Sequence, residues 1–125
     1  MRTVVAVIAG YVVWTVIWLG GNALLFADAT DAIGRGEYYG DAGPLAGVIV
    51  LSVVCSLAAG LVAGRLAPAR ARRSVLIMAI LLLATGIVVQ ANAWPLMPVW
   101  YHLTFLALIL PMAVVGGRVA APRIA

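Results

Sequence analysis

Charged side chains are missing from four long stretches of this chain. Residues 4–26, 44–64, 74–94 and 98–117 hold only apolar or weakly polar side chains, and every arginine, aspartate and glutamate lies between or beyond them. At 1.5 Å per helical residue, about 20 residues cross a hydrocarbon core about 30 Å thick. A bilayer core offers no water to unpaired backbone groups, and the runs lack the two-residue alternation of a barrel strand, so the pattern predicts helices. The expected fold is an all-α membrane protein. It is a single domain over residues 1–125, with four transmembrane helices in two helical hairpins and an outer loop at 27–43. A cleavable leader competes for the first run, with Arg2 as its charged start and Ala27-Asp28-Ala29 resembling a cleavage site. The apolar stretch exceeds the roughly 7–15 residues of such leaders, which favours a retained helix.

Composition agrees. The chain is 66% hydrophobic and 10% charged with mean hydropathy +1.16, whereas a soluble domain carries about 25% charged residues. Four crossings and their connectors use the whole length, which leaves no room for a soluble domain.

The charges then orient the helices. Arg2 precedes the first run, Arg65, Arg70, Arg72 and Arg73 lie between the second and third, and Arg118 and Arg123 follow the fourth. Short arginine-rich connectors stay cytoplasmic, so both termini are expected inside. Asp28, Asp31, Glu37 and Asp41 all fall in the 27–43 loop with Arg35, giving that outer loop a local charge of −3. The net charge of +4 needs no nucleic acid to explain it. Arg65, Arg70, Arg72, Arg73 and Arg118 are expected to meet anionic lipid headgroups, at about 1 kcal/mol each near the surface.

Prolines and glycines punctuate the runs. Gly43-Pro44 reads as a helix start with glycine as N-cap, and Pro98 reads as the first residue of the fourth helix. Pro68 and Pro122 follow helix ends. Pro111 lies inside the fourth run, where it removes one backbone hydrogen bond, and is the candidate kink or hinge. The endings Gly64-Arg65-Leu66-Ala67-Pro68 and Gly117-Arg118-Val119-Ala120-Ala121-Pro122 form a faint repeat, as two like-oriented hairpins would, although small residues, an arginine and a proline are also what many cytoplasmic helix ends contain, and that plainer account is favoured. Ser56, Gly60 and Gly64 recur every four residues, as do Ala6 and Gly10; such small-residue stripes let helices approach closely, within one chain or between copies.

Polar and aromatic groups gather toward the outer ends. His102, Gln90, Asn92, Asn22, Trp18 and Trp100 are the candidate ligand-binding residues, although a belt of Trp and Tyr at the membrane interface accounts for much of this cluster. Tyr11, Trp14 and Trp18 share one face of the first helix, as a pocket wall or as ordinary packing. One histidine, one cysteine and no acid within the runs do not make a metal site. No cofactor is expected; haem or a chlorophyll-type pigment could use His102 only as a single ligand or by pairing across an oligomer. Cys55 reads as a buried small hydrophobe, and the acidic loop lacks the EF-hand spacing for calcium. No nucleophile, base and oxyanion set is recognisable, so an enzyme is not expected. Proton-coupled transport needs an ionisable group in the membrane, and His102 alone qualifies. Likeness to small multidrug exporters and to fluoride channels stops at size and helix count.

Trp94-Pro95-Leu96, Trp100, Leu108, Pro111 and Gly116-Gly117-Arg118-Val119-Ala120, with the opening Met1-Arg2, Val5-Ala6 and Ala9-Gly10, resemble a broad group of small bacterial four-helix membrane proteins of unknown function. Members of that group often carry a glutamate and a histidine in the outer half of the first helix. This chain has Leu19-Gly20-Gly21-Asn22 there, so the resemblance implies fold and topology only. Together these readings place the chain in a bacterial cytoplasmic (inner) membrane. The leading expectation is a noncatalytic structural or accessory subunit that self-associates or joins other membrane-protein subunits. The alternative is a small-molecule or ion transporter or receptor with an outward-facing polar pocket near His102.

Overall fold

The structure, a computed structural model, describes the backbone of residues 2–120 and the side chains of residues 3–119. Pro122 and Arg123 lie outside the described residues. The elements are α1 (Arg2–Leu25), α2 (Ala27–Gly34), α3 (Ala42–Leu66), α4 (Ala71–Asn92) and α5 (Val99–Ala120), with 3-10 turns at Pro68–Arg70 and Trp94–Leu96. No strand occurs among the described residues. α1, α3, α4 and α5 are each long and apolar enough to cross a membrane.

Helix ends depart from the uncharged runs for local reasons. The N-cap of α3 is Asp41 rather than Gly43: its carboxylate accepts the Gly43 N–H at 3.3 Å, and Pro44 becomes the third helical residue. A short acidic side chain satisfies an orphan donor and meets the positive end of the helix dipole. Pro98 sits one residue ahead of α5, where its carbonyl accepts from the N–H groups of Tyr101 and His102. α4 already contains Arg72 and Arg73, because long arginine stems can lie along a helix while their heads stay in the polar zone. It stops at Asn92, since Pro95 has no N–H to offer the Ala91 carbonyl. Pro111 lies exposed within α5, which continues to Ala120.

The segment expected as an outer loop begins with a helix. In α2 the small side chains of Ala29 and Ala32 are buried against the bundle while Asp28 and Asp31 are exposed. The turn that follows needs Gly36, whose φ of 73° is open to glycine and strained for other residues. An exposed Arg35–Glu37 pair at 3.2 Å spans it. The Tyr39 N–H then donates to the Leu96 carbonyl at 2.7 Å, tying this loop to the α4–α5 connector. Desolvation, followed by the charges of Asp41 and Asp28, raises the Tyr39 phenol above its ordinary value.

α3 packs chiefly on α5 and α1, α4 packs chiefly on α5, and α1 meets α4 less extensively. Glycines set the closest approaches. A Cβ at Gly60 would stand 2.0 Å from the Ala113 carbonyl oxygen, and one at Gly116 would stand 2.2 Å from that of Leu57. Each helix thus presents a glycine to the other's backbone, at the spacing where Cα–H···O contacts form. On α1, Gly10 faces the Ala59 carbonyl and Met78 in the same way. Ala6, Ser56 and Gly64 are buried as well, and Ser56 accepts the indole N–H of Trp14 at 3.1 Å.

Gly60→Ala and Gly116→Ala should each lower stability by about 1–3 kcal/mol through overpacking. Gly20→Ala, which meets nothing within 4 Å, should be neutral or stabilising by up to about 1 kcal/mol. Thermal unfolding in detergent measures the difference; equal midpoints for Gly60→Ala and Gly20→Ala would refute the close contact.

Candidate functional site

At the acidic end of the bundle a polar network is enclosed. His102, 0% exposed, lies between Gln90 on α4 and the backbone carbonyl of Trp94, with Nδ1 against the Gln90 carboxamide and Nε2 3.1 Å from the Trp94 oxygen. Its ring stacks on the Trp94 indole at 4.5 Å between centroids. Gln90, 2% exposed, also lies beside Tyr101 along the wall of the adjoining cavity. The Trp94 carbonyl can only accept, so Nε2–H donates to it. A neutral ring then has no proton for Nδ1, which must itself accept. A half-turn of the Gln90 carboxamide brings its N–H to Nδ1. That arrangement satisfies both ring nitrogens without burying a charge, and no carboxylate lies within the four apolar helices to offset one.

Beside this network runs a groove between α1 and α4. Its deeper part, a cavity of about 320 Å³, is walled by Trp14, Trp18, Leu82, Val89 and Phe105. Trp14 and Trp18 stack at 5.2 Å, and both meet Phe105 edge-on. Thr85 donates its proton to the Leu81 carbonyl, so Tyr11 must donate to Thr85 across the groove at 2.7 Å. The outer part, a cavity of about 200 Å³ that shares Trp18, Leu19 and Val89, is lined by Asn22, Gln90 and Tyr101 under Ala29, Thr30 and Ile33 of α2. The Asn22 amide nitrogen donates to the Trp18 carbonyl at 2.8 Å, which leaves its side-chain oxygen available as an acceptor. The lining of both parts carries no charge.

Three of the six candidate ligand residues, Asn22, Gln90 and Trp18, therefore line one cavity. His102 stands behind it, one hydrogen bond away through Gln90. Asn92 and Trp100 are exposed and contribute nothing to the lining. Tyr101, a member of the outer polar and aromatic cluster, and Thr30 line it too, although neither is among the six candidate ligand residues. Tyr101 begins the buried series Tyr101, Phe105, Ile109 and Ala113, whose four-residue spacing was available as a signal. Thr30 carried no such signal, because α2 itself was not anticipated.

Both ring nitrogens of His102 are engaged, so axial ligation of haem or a pigment would require breaking one of these bonds. Among the described residues no three His, Cys, Asp or Glu side chains come together to hold a metal ion. At the other end Arg65, Arg70, Arg72, Arg73 and Arg118 are all exposed. No family model, curated protein or solved structure matches the chain.

The Gln90–His102 contact should register as a coupling of about 0.6–1.7 kcal/mol, the range of hydrogen bonds within membrane bundles. A double-mutant cycle of Gln90→Leu and His102→Phe, read by unfolding in detergent, checks it. Additive losses would mean that the contact holds nothing.

Proposed function

We propose that the protein is a noncatalytic, multi-pass protein of a bacterial cytoplasmic membrane that binds a small uncharged molecule in the groove between α1 and α4. Both termini face the cytoplasm, and α1–α3 and α4–α5 form two like-oriented hairpins, so the groove opens outward beneath α2. The observation that carries this reading is the gradient along the groove. Hydrogen-bonding groups from α1, α4 and α5 converge at its outer end, and a stacked aromatic wall lines its depth. Ligand sites combine mostly apolar walls with a few convergent polar groups in this way. The group of small bacterial membrane proteins that the sequence resembles is consistent with the topology.

A structural or accessory subunit is the second reading, favoured by the enclosure of His102 and the internal hydrogen bonding of Trp14, Ser56 and Gln90. The small-residue stripes support it less than they did from sequence alone, because Gly10 and Gly60 are spent on contacts within the chain.

The topology is checked by cysteine labelling. Asp31→Cys should react with a membrane-impermeant maleimide in intact cells, and Arg70→Cys only after permeabilisation; the reverse pattern would invert the orientation. Binding is read from tryptophan fluorescence in a Trp94→Phe, Trp100→Phe background, where only Trp14 and Trp18 remain. A short-chain quinone should quench saturably, a medium-chain alcohol should relieve that quenching by competition, and Asn22→Ala with Gln90→Ala should weaken quinone binding at least about tenfold, the loss of two hydrogen bonds of about 1 kcal/mol each. Purely linear quenching by the quinone, unrelieved by the alcohol, with the protein migrating as a defined oligomer, would favour the subunit reading instead.

A further inference from the structure

The opposite end of the bundle holds a second cleft, between α4 and α5, with a cavity of about 360 Å³ lined by Arg72, Val75, Leu76, Val114, Gly117 and Arg118 together with Ala71. By volume it takes about a dozen water-sized groups. Its floor is where the two helices touch: a Cβ at Gly117 would stand 2.6 Å from Val75. Arg72 and Arg118 come from different helices and border the same opening. Among the described residues neither has a carboxylate partner, since the one ion pair there joins Arg35 to Glu37 and all four acids lie at the other end. Two guanidinium groups beside one cleft repel each other unless an anion sits between them. Phosphate oxygens suit this arrangement, because the planar fork of arginine meets them in paired hydrogen bonds. Val75, Leu76 and Val114 offer nothing to an inorganic ion and a continuous apolar wall to a hydrocarbon chain.

We infer that this cleft is a discrete binding site for one anionic phospholipid of the adjoining leaflet, its phosphate held between Arg72 and Arg118 and the start of an acyl chain laid along Val75, Leu76 and Val114. The inference requires that the chain spans a membrane and is independent of the α1–α4 groove. It differs from general attraction of headgroups to a basic surface because it assigns the site to two arginines of the five described at this end. Arg65 and Arg73 lie outside the lining and Arg70 borders a different cavity. Basic clefts between membrane helices are suited to such headgroups.

The test is native mass spectrometry of the full chain released from detergent and titrated with phosphatidylglycerol. One lipid should bind saturably per chain. Arg72→Gln and Arg118→Gln should each weaken binding about fivefold, and the double variant about twenty-five-fold, taking about 1 kcal/mol per arginine. Arg65→Gln and Arg73→Gln should leave it within about twofold. Arg72→Lys with Arg118→Lys, which keeps the charges and loses the forks, should fall between wild type and the double Gln variant and so serves if the latter folds poorly. Phosphatidylcholine should bind at least about tenfold more weakly, and millimolar inorganic phosphate should not displace phosphatidylglycerol. Equal losses at all four Gln sites would overturn the site in favour of diffuse attraction. Equal affinity for phosphatidylcholine would reduce it to an apolar cleft, and displacement by inorganic phosphate would make it a free-anion site.

Discussion

Everything else in the bundle is arranged around the backbone contact between α3 and α5. Helices already in lipid gain no hydrophobic free energy by associating, so dispersion contacts and weak backbone hydrogen bonds must hold them together. Gly60 against Ala113 and Gly116 against Leu57 allow that approach from both sides. Small residues continue the theme on the flanks, with Gly10 and Gly21 where α1 meets α3, and Gly86 and Gly117 where α4 meets α5. The α1–α4 boundary is built differently. Tyr11, Trp14, Trp18, Leu82 and Val89 face it, and side chains of that size prop the two helices apart. The groove thus opens along the stretch of the α1–α4 boundary where large side chains, rather than Gly10, meet the other helix.

The break between α4 and α5 explains why a histidine can be buried here. Ending α4 at Asn92 leaves carbonyl groups at its C-terminal end without helical partners, and the Trp94–Leu96 turn adds its own. His102, within the first turn of α5, reaches back to the Trp94 carbonyl and stacks on the Trp94 ring. Gln90, in the last turn of α4, closes the loop from the other side. Pro95, which stops the helix, and His102, which satisfies what the stop exposes, belong to one local solution. A single polar side chain on each helix is enough to fix how the two ends face each other.

Which helices are long and apolar enough to cross a membrane was legible from the missing charges, and which end carries the polar cluster was legible from the positions of Asn22, Gln90 and His102. What each residue faces was not. Asn92 follows Gln90 by two positions, about 200° around a helix, so one is exposed while the other is enclosed. Trp100 and Tyr101 are neighbours that point to different surroundings for the same reason. Rotation of a helix about its axis is set by its neighbours, and these runs are too uniformly apolar to reveal it. Reading helices from absent charge also hid α2, whose Asp28 and Asp31 mark the solvent face of a short amphipathic turn. It hid the capping role of Asp41 as well, since an acid just outside an apolar run looks like loop when its N-cap geometry is not considered.

The separation of charge between the two ends of the bundle bears on what the proposed sites would accept. A groove with uncharged lining beneath a loop of net charge −3 disfavours anionic headgroups, which would approach Asp28 and Asp31 without a cation in the cavity to meet them. On the proposed reading, neutral polar heads lose nothing there and gain Gln90, Asn22 and Tyr101 as neighbours. At the arginine end the proposed preference reverses, because an uncharged head would leave Arg72 and Arg118 beside one cleft without a counter-charge. Both openings lie between helices and both have apolar walls, so volume and hydrophobicity do not distinguish their ligands. On the proposed reading electrostatics does: five described arginines at one end, and the four acids with Arg35 at the other, leave two clefts of similar size suited to different amphiphiles.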